Sequence, residues 1–348
     1  MKKYSIIILI LLGISLTGLS QTKNSKQSFI QVKKNEAQQK IDVQIDGKLF
    51  TSFCYPDSLE KPFLFPIIAA NDSMITRGFP LIPKPKDPTD HPHHIGMWFN
   101  YENVNGLDFW NNSYAIEADK KKNYGWIRTE KNIVTKSGKE ASIQYVADWT
   151  DQEKKPLLEE QTDLLFSTMG TDRVIDRITK LTAKEDISFK DVKDGMLGLR
   201  VAHELELPIF ETRKYTDDKG NITYVKANRD SSVTGNYITS EGKQGDAAWG
   251  TRAVWCMLYG KLGVDSISIV MIDHPKNPGY PTYWHARNYG LFAANPLGQK
   301  IFSNGKNVLD FKLSQGQSVI FRYKIIIASG KNRMPIRSIE KVAQDFAQ

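Results

Sequence analysis

The sequence contains only two cysteines, and each lies in an apolar stretch. Cys54 stands in SFCY and Cys256 in VWCMLY, in a chain of 348 residues. Two cysteines do not form the disulfide framework that holds small secreted proteins together, and the sequence gives no distance between them. We expect buried free thiols on core strands in preference to a bridge. The fold must then be stabilised by a hydrophobic core, which 40% hydrophobic residues can supply in a chain of this length.

Long runs of one charge are also missing. The longest basic run is Lys120-Lys121-Lys122, and a solvated loop is sufficient to explain it. The formal net charge is +8, or +6 without Lys2 and Lys3, which mildly favours anionic partners. Nucleic acid is not an expected partner, because proteins that bind it concentrate basic residues on one face.

The common catalytic fingerprints are absent as well. The sequence has no G-x-S-x-G, no H-E-x-x-H, no phosphate-binding loop and no dinucleotide-binding glycine pattern. These absences argue against serine hydrolases, zincin metalloproteases and enzymes that use nucleotides or NAD. We therefore expect no cofactor, although the histidines described below leave a divalent metal open.

The longest apolar run lies at the N-terminus and is too short for a membrane span. The chain opens MKKYSIIILILLGISLTGLSQTKNS, with two lysines, an interrupted apolar stretch and a small-residue site at Gly18-Leu19-Ser20. A span needs about 20 apolar residues, whereas this pattern is typical of a cleavable secretory signal. We predict a signal peptide over residues 1–20, a flexible segment over 21–34 and a single domain over 35–348. The mature protein is expected in the periplasm, with no membrane attachment.

Most of the remaining chain alternates apolar and polar residues, which indicates half-buried strands. Ile41, Val43 and Ile45 alternate with polar residues before an Asp-Gly turn, and ASIQYVADW and SVIFRYKIIIAS repeat the pattern. A helical pattern is convincing only near the end, in SIEKVAQDFA. Many strands separated by turns and followed by one helix favour a large antiparallel β-sandwich.

Three of the six histidines lie close together in DHPHHIGMWFNYENVNGLDFW, residues 90–110. His91, His93 and His94 can move protons, hold a divalent metal or bind a polar ligand. The intervening Pro92 predicts an extended loop on which adjacent side chains diverge, so at most two of the rings meet one ligand. Trp98 and Trp110 follow, and their flat faces can stack on sugar rings or pack in a core.

A second polar cluster lies in IDHPKNPGYPTYWHARNYG, residues 272–290. It contains Asp273 and His274 at a turn, then Trp284 and His285, then Arg287. On an extended segment His285 and Arg287 point to the same side, which suits binding of a carboxylate or sulfate beside a proton donor.

These motifs resemble the PmoA-like family, often labelled methane-oxygenase-like. The resemblance is carried by DHPHHIGMWF, NGLDFW, KDGMLGLRVA, DHPKN and WHARNYGLFAANP, and it covers the chain from about Phe50 to Ala328. It implies a galactose-mutarotase-like β-supersandwich, exported by bacteria that consume polysaccharides, with a sugar bound on the concave face of a sheet by histidine and carboxylate groups. The family's motif positions fall here on His91, His93, His94, His274, His285 and Arg287.

We therefore predict a carbohydrate-active enzyme of the β-supersandwich class that performs acid–base chemistry on a sugar or acidic oligosaccharide as an epimerase, hydrolase or lyase. The predicted catalytic residues are His94, His285 and His93, and the predicted substrate-binding residues are Arg287, His91, Trp98, Trp110, Trp284, His274 and Asp273. The spacing does not identify the partner carboxylate among Asp90, Glu102, Asp108, Glu117 and Asp273. Two alternatives stay open at this point: a histidine-ligated metalloenzyme and a non-catalytic glycan-binding protein.

Overall fold

The protein is described by a computed structural model over residues 28–130, 132–216, 222–225, 227 and 230–348. The predicted signal peptide, residues 1–20, lies outside the described residues. Within the described ranges, no helix combines the length and apolar character needed to cross a membrane.

Strands are the main regular secondary structure of the described chain, and their bounds follow in chain order. The first eleven are β1 (Ile30–Asn35), β2 (Lys40–Ile45), β3 (Lys48–Cys54), β4 (Phe63–Ile67), β5 (Met97–Tyr101), β6 (Trp126–Thr129), β7 (Val134–Lys136), β8 (Ala141–Thr150), β9 (Pro156–Met169), β10 (Asp172–Ala183) and β11 (Ile187–Ser188). The others are β12 (Gly195–Arg200), β13 (Arg213–Thr216), β14 (Ile222–Val225), β15 (Asn236–Thr239), β16 (Trp255–Leu262), β17 (Asp265–Asp273), β18 (Tyr283–Ala286), β19 (Leu291–Asn295), β20 (Lys312–Leu313) and β21 (Ser318–Gly330). The α-helices are α1 (Gln299–Phe302) and α2 (Ile336–Phe346).

Two large sheets form the sandwich. One has eight strands in the order β1-β2-β3-β4-β5-β12-β19-β18, and the other has nine, with β15-β16-β17-β21-β10-β9-β8-β6 as its path and β7 added beside β8. Neighbouring strands run antiparallel throughout both sheets. The predicted large antiparallel β-supersandwich with a short C-terminal helix is confirmed.

The core lies between the sheets because alternate residues of each strand face inward. In β8 the buried positions are Ile143, Tyr145, Ala147 and Trp149, as the alternation predicts. Helix α2 covers part of the outer face of the nine-stranded sheet, where Ile339 packs in a cluster with Trp255, Ile272 and Ile326.

The N-terminal boundary differs from the prediction. The segment 21–34 was expected to be flexible, but residues 30–34 belong to β1, which pairs with β2 over its whole length from Ile30 opposite Ile45 to Asn35 opposite Lys40. Ile30 is fully buried in the main core, so hydrophobic contacts hold this strand in place. The prediction was wrong for these residues because Lys33 and Lys34 mask the two apolar residues, Ile30 and Val32, that anchor the strand on the core.

The two cysteines lie in different sheets, and both are free. Cys54 ends β3 in the eight-stranded sheet, and Cys256 lies in β16 of the nine-stranded sheet. The expectation of free thiols on core strands is confirmed.

One cross-strand row of the eight-stranded sheet positions the candidate site. Trp98 on β5 lies opposite Gly198 on β12, Gly198 lies opposite Ala293 on β19, and Ala293 lies opposite His285 on β18. Residues in register point to the same face, and here that face is the outer one, since Trp98 and Ala293 pack in a cluster separate from the main core. Trp98 and His285 thus lie on one surface, three strands apart.

Candidate functional site

The histidine loop before β5 is shaped by a buried arginine. Arg77, whose side chain is fully buried, donates to the carbonyls of Pro88 (3.1 Å), Asp90 (2.7 Å), His91 (2.9 Å) and His94 (3.0 Å). Charge-assisted bonds of this kind are about twice as strong as neutral ones, so Arg77 fixes the path of an otherwise irregular loop.

Asp90 is clamped by two guanidinium groups. Arg200, at the end of β12, holds both of its carboxylate oxygens at 2.9 and 3.1 Å, and Arg77 lies 3.3 Å from one of them. Burial alone would raise the pKa of Asp90, but the Arg200 charge and a hydrogen bond from His91 lower it well below its usual range. Asp90 is therefore a fixed anion at any physiological pH.

His91 forms a histidine–carboxylate pair with Asp90. Its Nδ1 donates to Asp90 Oδ2, which leaves Nε2 as the nitrogen that can take up a proton. The side chain is 20% exposed, and the backbone φ of +45° lies in the left-handed region that non-glycine residues adopt rarely. We predicted His91 as a binding residue, whereas this geometry suits a general base oriented by a carboxylate.

Four aromatic rings stack through the loop. Tyr289 lies 5.1 Å from His91, His91 lies 4.8 Å from His94, and His94 lies 5.1 Å from Trp98, with interplanar angles of 4°, 2° and 18°. The column connects the turn after β18 to the outer face of β5. It follows that His91 presents an edge, not a face, to any ligand.

His94 and His93 are buried beneath this surface. His94 Nδ1 accepts from Arg200 at 3.3 Å, so a neutral His94 carries its proton on Nε2. His93 meets the His94 ring edge-on at 4.3 Å, and its buried Nε2 has no hydrogen-bond partner in the described chain. Burial and neighbouring positive charges lower the pKa of both rings well below the usual value, so both are neutral near pH 7.

His285 faces a carboxylate that sequence reasoning did not nominate. His285 Nδ1 lies 3.3 Å from Asp194 Oδ1, although without the alignment of a hydrogen bond. Burial raises the pKa of Asp194, while burial and the Arg287 charge lower the pKa of His285 well below its usual value. The pKa of each group is thus shifted toward its neutral form, although Lys193, 3.5 Å from Asp194 Oδ2, offsets part of the shift of Asp194.

Arg287 is held between two aromatic rings. Its guanidinium carbon lies 5.4 Å from the centre of Trp249 and 6.0 Å from that of Tyr289. Trp249 is 36% exposed, and Arg287 is partly exposed. A cation beside an accessible aromatic face is a surface that can bind an acidic sugar.

The two polar stretches are neighbours. His91 stacks on Tyr289, which lies two residues after Arg287, and both His91 and Arg287 are close enough to Asp194 to lower its pKa. Trp98 and His285 are three strand spacings of about 4.8 Å apart, or roughly 14 Å between backbones. We use the name outer-face site for the side chains gathered here: Asp90, His91, His93, His94, Asp194, His285 and Arg287.

The predicted tryptophans do not line the outer-face site as expected. Trp284 points to the opposite face, where it is fully buried in the core and donates to the Ala253 carbonyl at 3.0 Å. Trp98 and Trp110 are on the correct face but almost fully buried, stacked beneath or beside His94. Trp284 is therefore a core residue, and the other two support the histidines and are not accessible for sugar stacking.

Asp273 and His274, also predicted to bind substrate, stabilise a turn at the end of β17. Asp273 accepts from Asn277 Nδ2 (2.7 Å) and the Thr282 amide (2.8 Å), and His274 Nδ1 accepts from the Lys276 amide (3.0 Å). The His274 ring packs edge-on against Phe346 of α2, 5.0 Å away. These contacts place the DHPKN motif in the nine-stranded sheet, so the prediction of a binding role is corrected to a structural one.

The geometry also bears on a metal centre. Among the described residues, no group of three or more histidine, cysteine, aspartate or glutamate side chains lies close enough to hold a metal ion. The stack explains this, because parallel rings 4.8 Å apart direct their nitrogens side by side and not toward one point.

Sequence reasoning missed several residues of this surface. Asp90 was among the candidate carboxylates but was not singled out, and Asp194 and Arg200 were overlooked although both lie in KDGMLGLR. Arg77 and Trp249 lie outside every quoted motif, so the sequence contained no signal for them.

Comparison with known proteins identifies a family and distant structural similarities. A sequence model described as a family of unknown function, DUF6807, matches residues 40–344. No protein of curated function matches significantly.

Three solved structures illustrate the structural similarity, each covering most of this chain. GH36 alpha-galactosidase AgaB from Geobacillus stearothermophilus is 10% identical, with a TM-score of 0.39 over 87% of this chain and 41% of that one. The galactosidase domain of alpha-galactosidase-sucrose kinase AgaSK is 11% identical, with a TM-score of 0.36 over 86% and 42%. The alpha-galactosidase from Lactobacillus brevis is 9% identical, with a TM-score of 0.35 over 87% and 39%. The chain thus spans about two fifths of each of these proteins, and at this distance the similarity says nothing about its activity.

Proposed function

The chain belongs to the family of unknown function DUF6807, and we propose that it is a carbohydrate-active enzyme in which Asp90 and His91 perform acid–base chemistry on a sugar. The single observation that carries the proposal is the Asp90–His91 pair, in which a clamped carboxylate orients a partly exposed imidazole. The two arginines fix the carboxylate, and the carboxylate in turn fixes one orientation of a partly exposed imidazole, which is what a general base requires.

In the proposed chemistry the Asp90–His91 pair supplies the base and the Asp194–His285 pair supplies the acid. His91 Nε2 takes a proton from the substrate, and the resulting imidazolium is stabilised by Asp90, which keeps its charge. Asp194, whose pKa is raised by burial, gives a proton beside His285. The pKa of Asp90 is lowered and that of Asp194 is raised, so one carboxyl group keeps its charge beside the base and the other is the candidate acid.

A sugar as substrate is supported by the accessible surface next to these pairs. Trp249 offers an exposed aromatic face, and Arg287 beside it supplies a positive charge for a carboxylate or sulfate. The acidic class of oligosaccharide, the periplasmic location, the PmoA-like resemblance and the absence of a cofactor remain predictions that accompany this proposal.

The test is turnover by the purified protein. Oligosaccharides from several acidic and neutral polysaccharides are incubated with wild type, His91→Gln and His274→Gln, and products are followed by mass spectrometry and NMR. We expect conversion by wild type, a loss of at least about 100-fold in His91→Gln, and no change in His274→Gln, whose ring packs on α2. Binding without conversion would instead favour a glycan-binding protein, and activity that depends on added metal would favour the metalloenzyme.

A further inference from the structure

A buried lysine lies beneath the histidine loop, and the proposed chemistry does not use it. Lys61 is only 3% exposed, and its Nζ lies 5.7 Å from the centre of the Trp98 ring. It is also close enough to His93 to lower the pKa of that ring. Its Nζ makes no hydrogen bond or ion pair with any described residue.

Nearby carboxylates are engaged elsewhere. Asp108 accepts from the amides of Trp110 (3.0 Å) and Asn111 (2.9 Å) and from Asn111 Nδ2 (3.0 Å). Glu60 lies 3.5 Å from Lys121. Both carboxylates act on Lys61 only at longer range, where they offset part of the burial that lowers its pKa from 10.5 to about 8. An ammonium group buried without a partner is unfavourable, so its retention needs an explanation.

Two further buried polar atoms beside Lys61 also have no partner in the described chain. They are Trp98 Nε1, on a side chain that is fully buried, and His93 Nε2, on a side chain that is 8% exposed. Trp98 Nε1 can only donate, Lys61 Nζ can only donate, and His93 Nε2 donates in one of its two tautomers. Because buried polar groups in proteins are almost always paired, these two buried atoms near an ammonium group that has no ion pair point to a place for an external acceptor.

We propose that Lys61, Trp98 and His93 form an anion subsite that receives the carboxylate of an acidic sugar. The proposal deepens the proposed function, because the subsite adjoins His94 and His91, the residues next to which the sugar would react. A positive charge with two neutral donors matches a carboxylate, which accepts through two oxygens. Inorganic sulfate shares this chemistry, so the test separates a sugar acid from a free anion.

The apolar surroundings favour the sugar acid. Phe63 lies opposite Trp98 in the sheet, and Trp110 lies 5.0 Å from Trp98, so the donors stand among aromatic rings. Doubly charged sulfate loses more hydration free energy than a singly charged carboxylate on entering such apolar surroundings, so they favour the carboxylate of a sugar acid.

The experiment compares wild type, Lys61→Met and the control Lys48→Met, whose lysine pairs with Asp72 on the surface. Calorimetric titrations use sodium glucuronate, sodium galacturonate, their neutral counterparts glucose and galactose, and sodium sulfate, all at one ionic strength. We expect at least one uronate to bind wild type, a loss of tenfold or more in Lys61→Met, and less than a twofold change in Lys48→Met. Neutral sugars should bind both variants alike. No binding of either uronate to wild type, or equal uronate binding by wild type and Lys61→Met, would overturn the proposal, and stronger binding of sulfate than of either uronate would mean a free-anion site.

Stability gives a second, independent readout. If Lys61 has no internal partner, Lys61→Met should leave the melting temperature of the ligand-free protein unchanged or raise it, because the unpaired charge is replaced by an apolar side chain of similar length. A fall of more than about 3 °C would show that Lys61 is structural.

The pH dependence follows from the lowered pKa of Lys61. Between about pH 8 and 10.5 the amine binds a proton in the unfolded chain but not in the folded one. Wild-type stability therefore rises with pH through this window, and the advantage of Lys61→Met shrinks. The affinity of wild type for uronate should fall through the same window, because the amine loses its charge. Turnover is a separate measurement that tests the proposed function. A protein that binds uronate through Lys61 but converts no glycan would keep this inference and reject the enzyme.

Discussion

Two buried polar clusters differ in how their hydrogen bonds are satisfied. One lies between the two sheets, and the other lies on the outer face of the eight-stranded sheet. Between the sheets, Glu160 accepts from Tyr145 (2.7 Å), Trp149 (2.8 Å), Thr162 (2.8 Å) and Arg177 (2.7 Å). We call these five residues the core network. In the outer-face site, by contrast, His93 and His285 keep ring nitrogens without partners in the described chain.

The presence or absence of internal hydrogen-bond partners distinguishes polar groups that stabilise the fold from polar groups that are available to bind a ligand. A buried network in which each charge is matched is lost at a large cost when one member is removed. A buried polar atom without a partner contributes no stability of its own and can be replaced by an apolar group at little cost. The comparison therefore predicts opposite responses to mutation in the two clusters.

The largest expected effect is in the core network. Glu160→Ala should lower the free energy of unfolding by about 3–5 kcal/mol, because it leaves the buried Arg177 charge without its partner. Urea unfolding measures the loss. The control Asp163→Asn removes a charge that bonds only Gln144 at the surface and should change stability by less than about 0.5 kcal/mol. A loss below about 1 kcal/mol in Glu160→Ala would mean that the network does not hold the core.

The second effect concerns Asp90, a member of the outer-face site whose hydrogen bonds, unlike those of His93 and His285, are satisfied. Asp90→Asn keeps the side-chain shape but removes the counter-charge of Arg200 and Arg77, so stability should fall by about 2–3 kcal/mol. If a substrate is found, its turnover should fall by at least about 100-fold, since His91 loses the charge that stabilises its protonated form. Full activity in a folded Asp90→Asn protein would remove the acid–base pair from the account.

A smaller effect is expected beneath His94. A Cβ on Gly198 would lie 2.6 Å from the Trp98 ring and 2.8 Å from the Trp110 ring, so Gly198→Ala must displace the rings that support the stack. Such overpacking costs about 1–3 kcal/mol. Gly330→Ala is the matched control, because nothing lies within 4 Å of the added carbon. Equal stability of the two variants in thermal unfolding would contradict the close packing described here.

Much of the fold could be predicted from alternation alone. The pattern identified β2, β8 and β21 because each has one face in the core, and it identified α2 because its apolar residues follow helical spacing. The same rule should have excluded Trp284 from the site, because it is adjacent to His285 in a strand and therefore faces the opposite side of the sheet. We weighted its aromatic character above its position, and the prediction was wrong.

The site was predictable only in part. The histidines, Arg287 and the neighbouring carboxylates could be found because each motif is continuous in sequence. The roles of Lys61, Arg77 and Arg200 could not, since these residues reach the histidine loop from strands and loops that are distant in the chain, and only Arg200 lies in a quoted motif. Their types are those that usually lie on the surface, and only the topology of the sheet shows that they are buried.

The most direct test of the central claim is the free energy of unfolding of His285→Leu in urea at pH 7. His285 is 1% exposed, and its ring contacts with Asp194 Oδ1 (3.3 Å) and the Lys193 backbone lack full hydrogen-bond geometry, so the account assigns it to the outer-face site and gives it no structural role. The account predicts a stability within about 1 kcal/mol of wild type, or higher, because an apolar side chain of similar size replaces an unpaired polar ring. A loss of more than about 2 kcal/mol would contradict it and would place His285 with the core network.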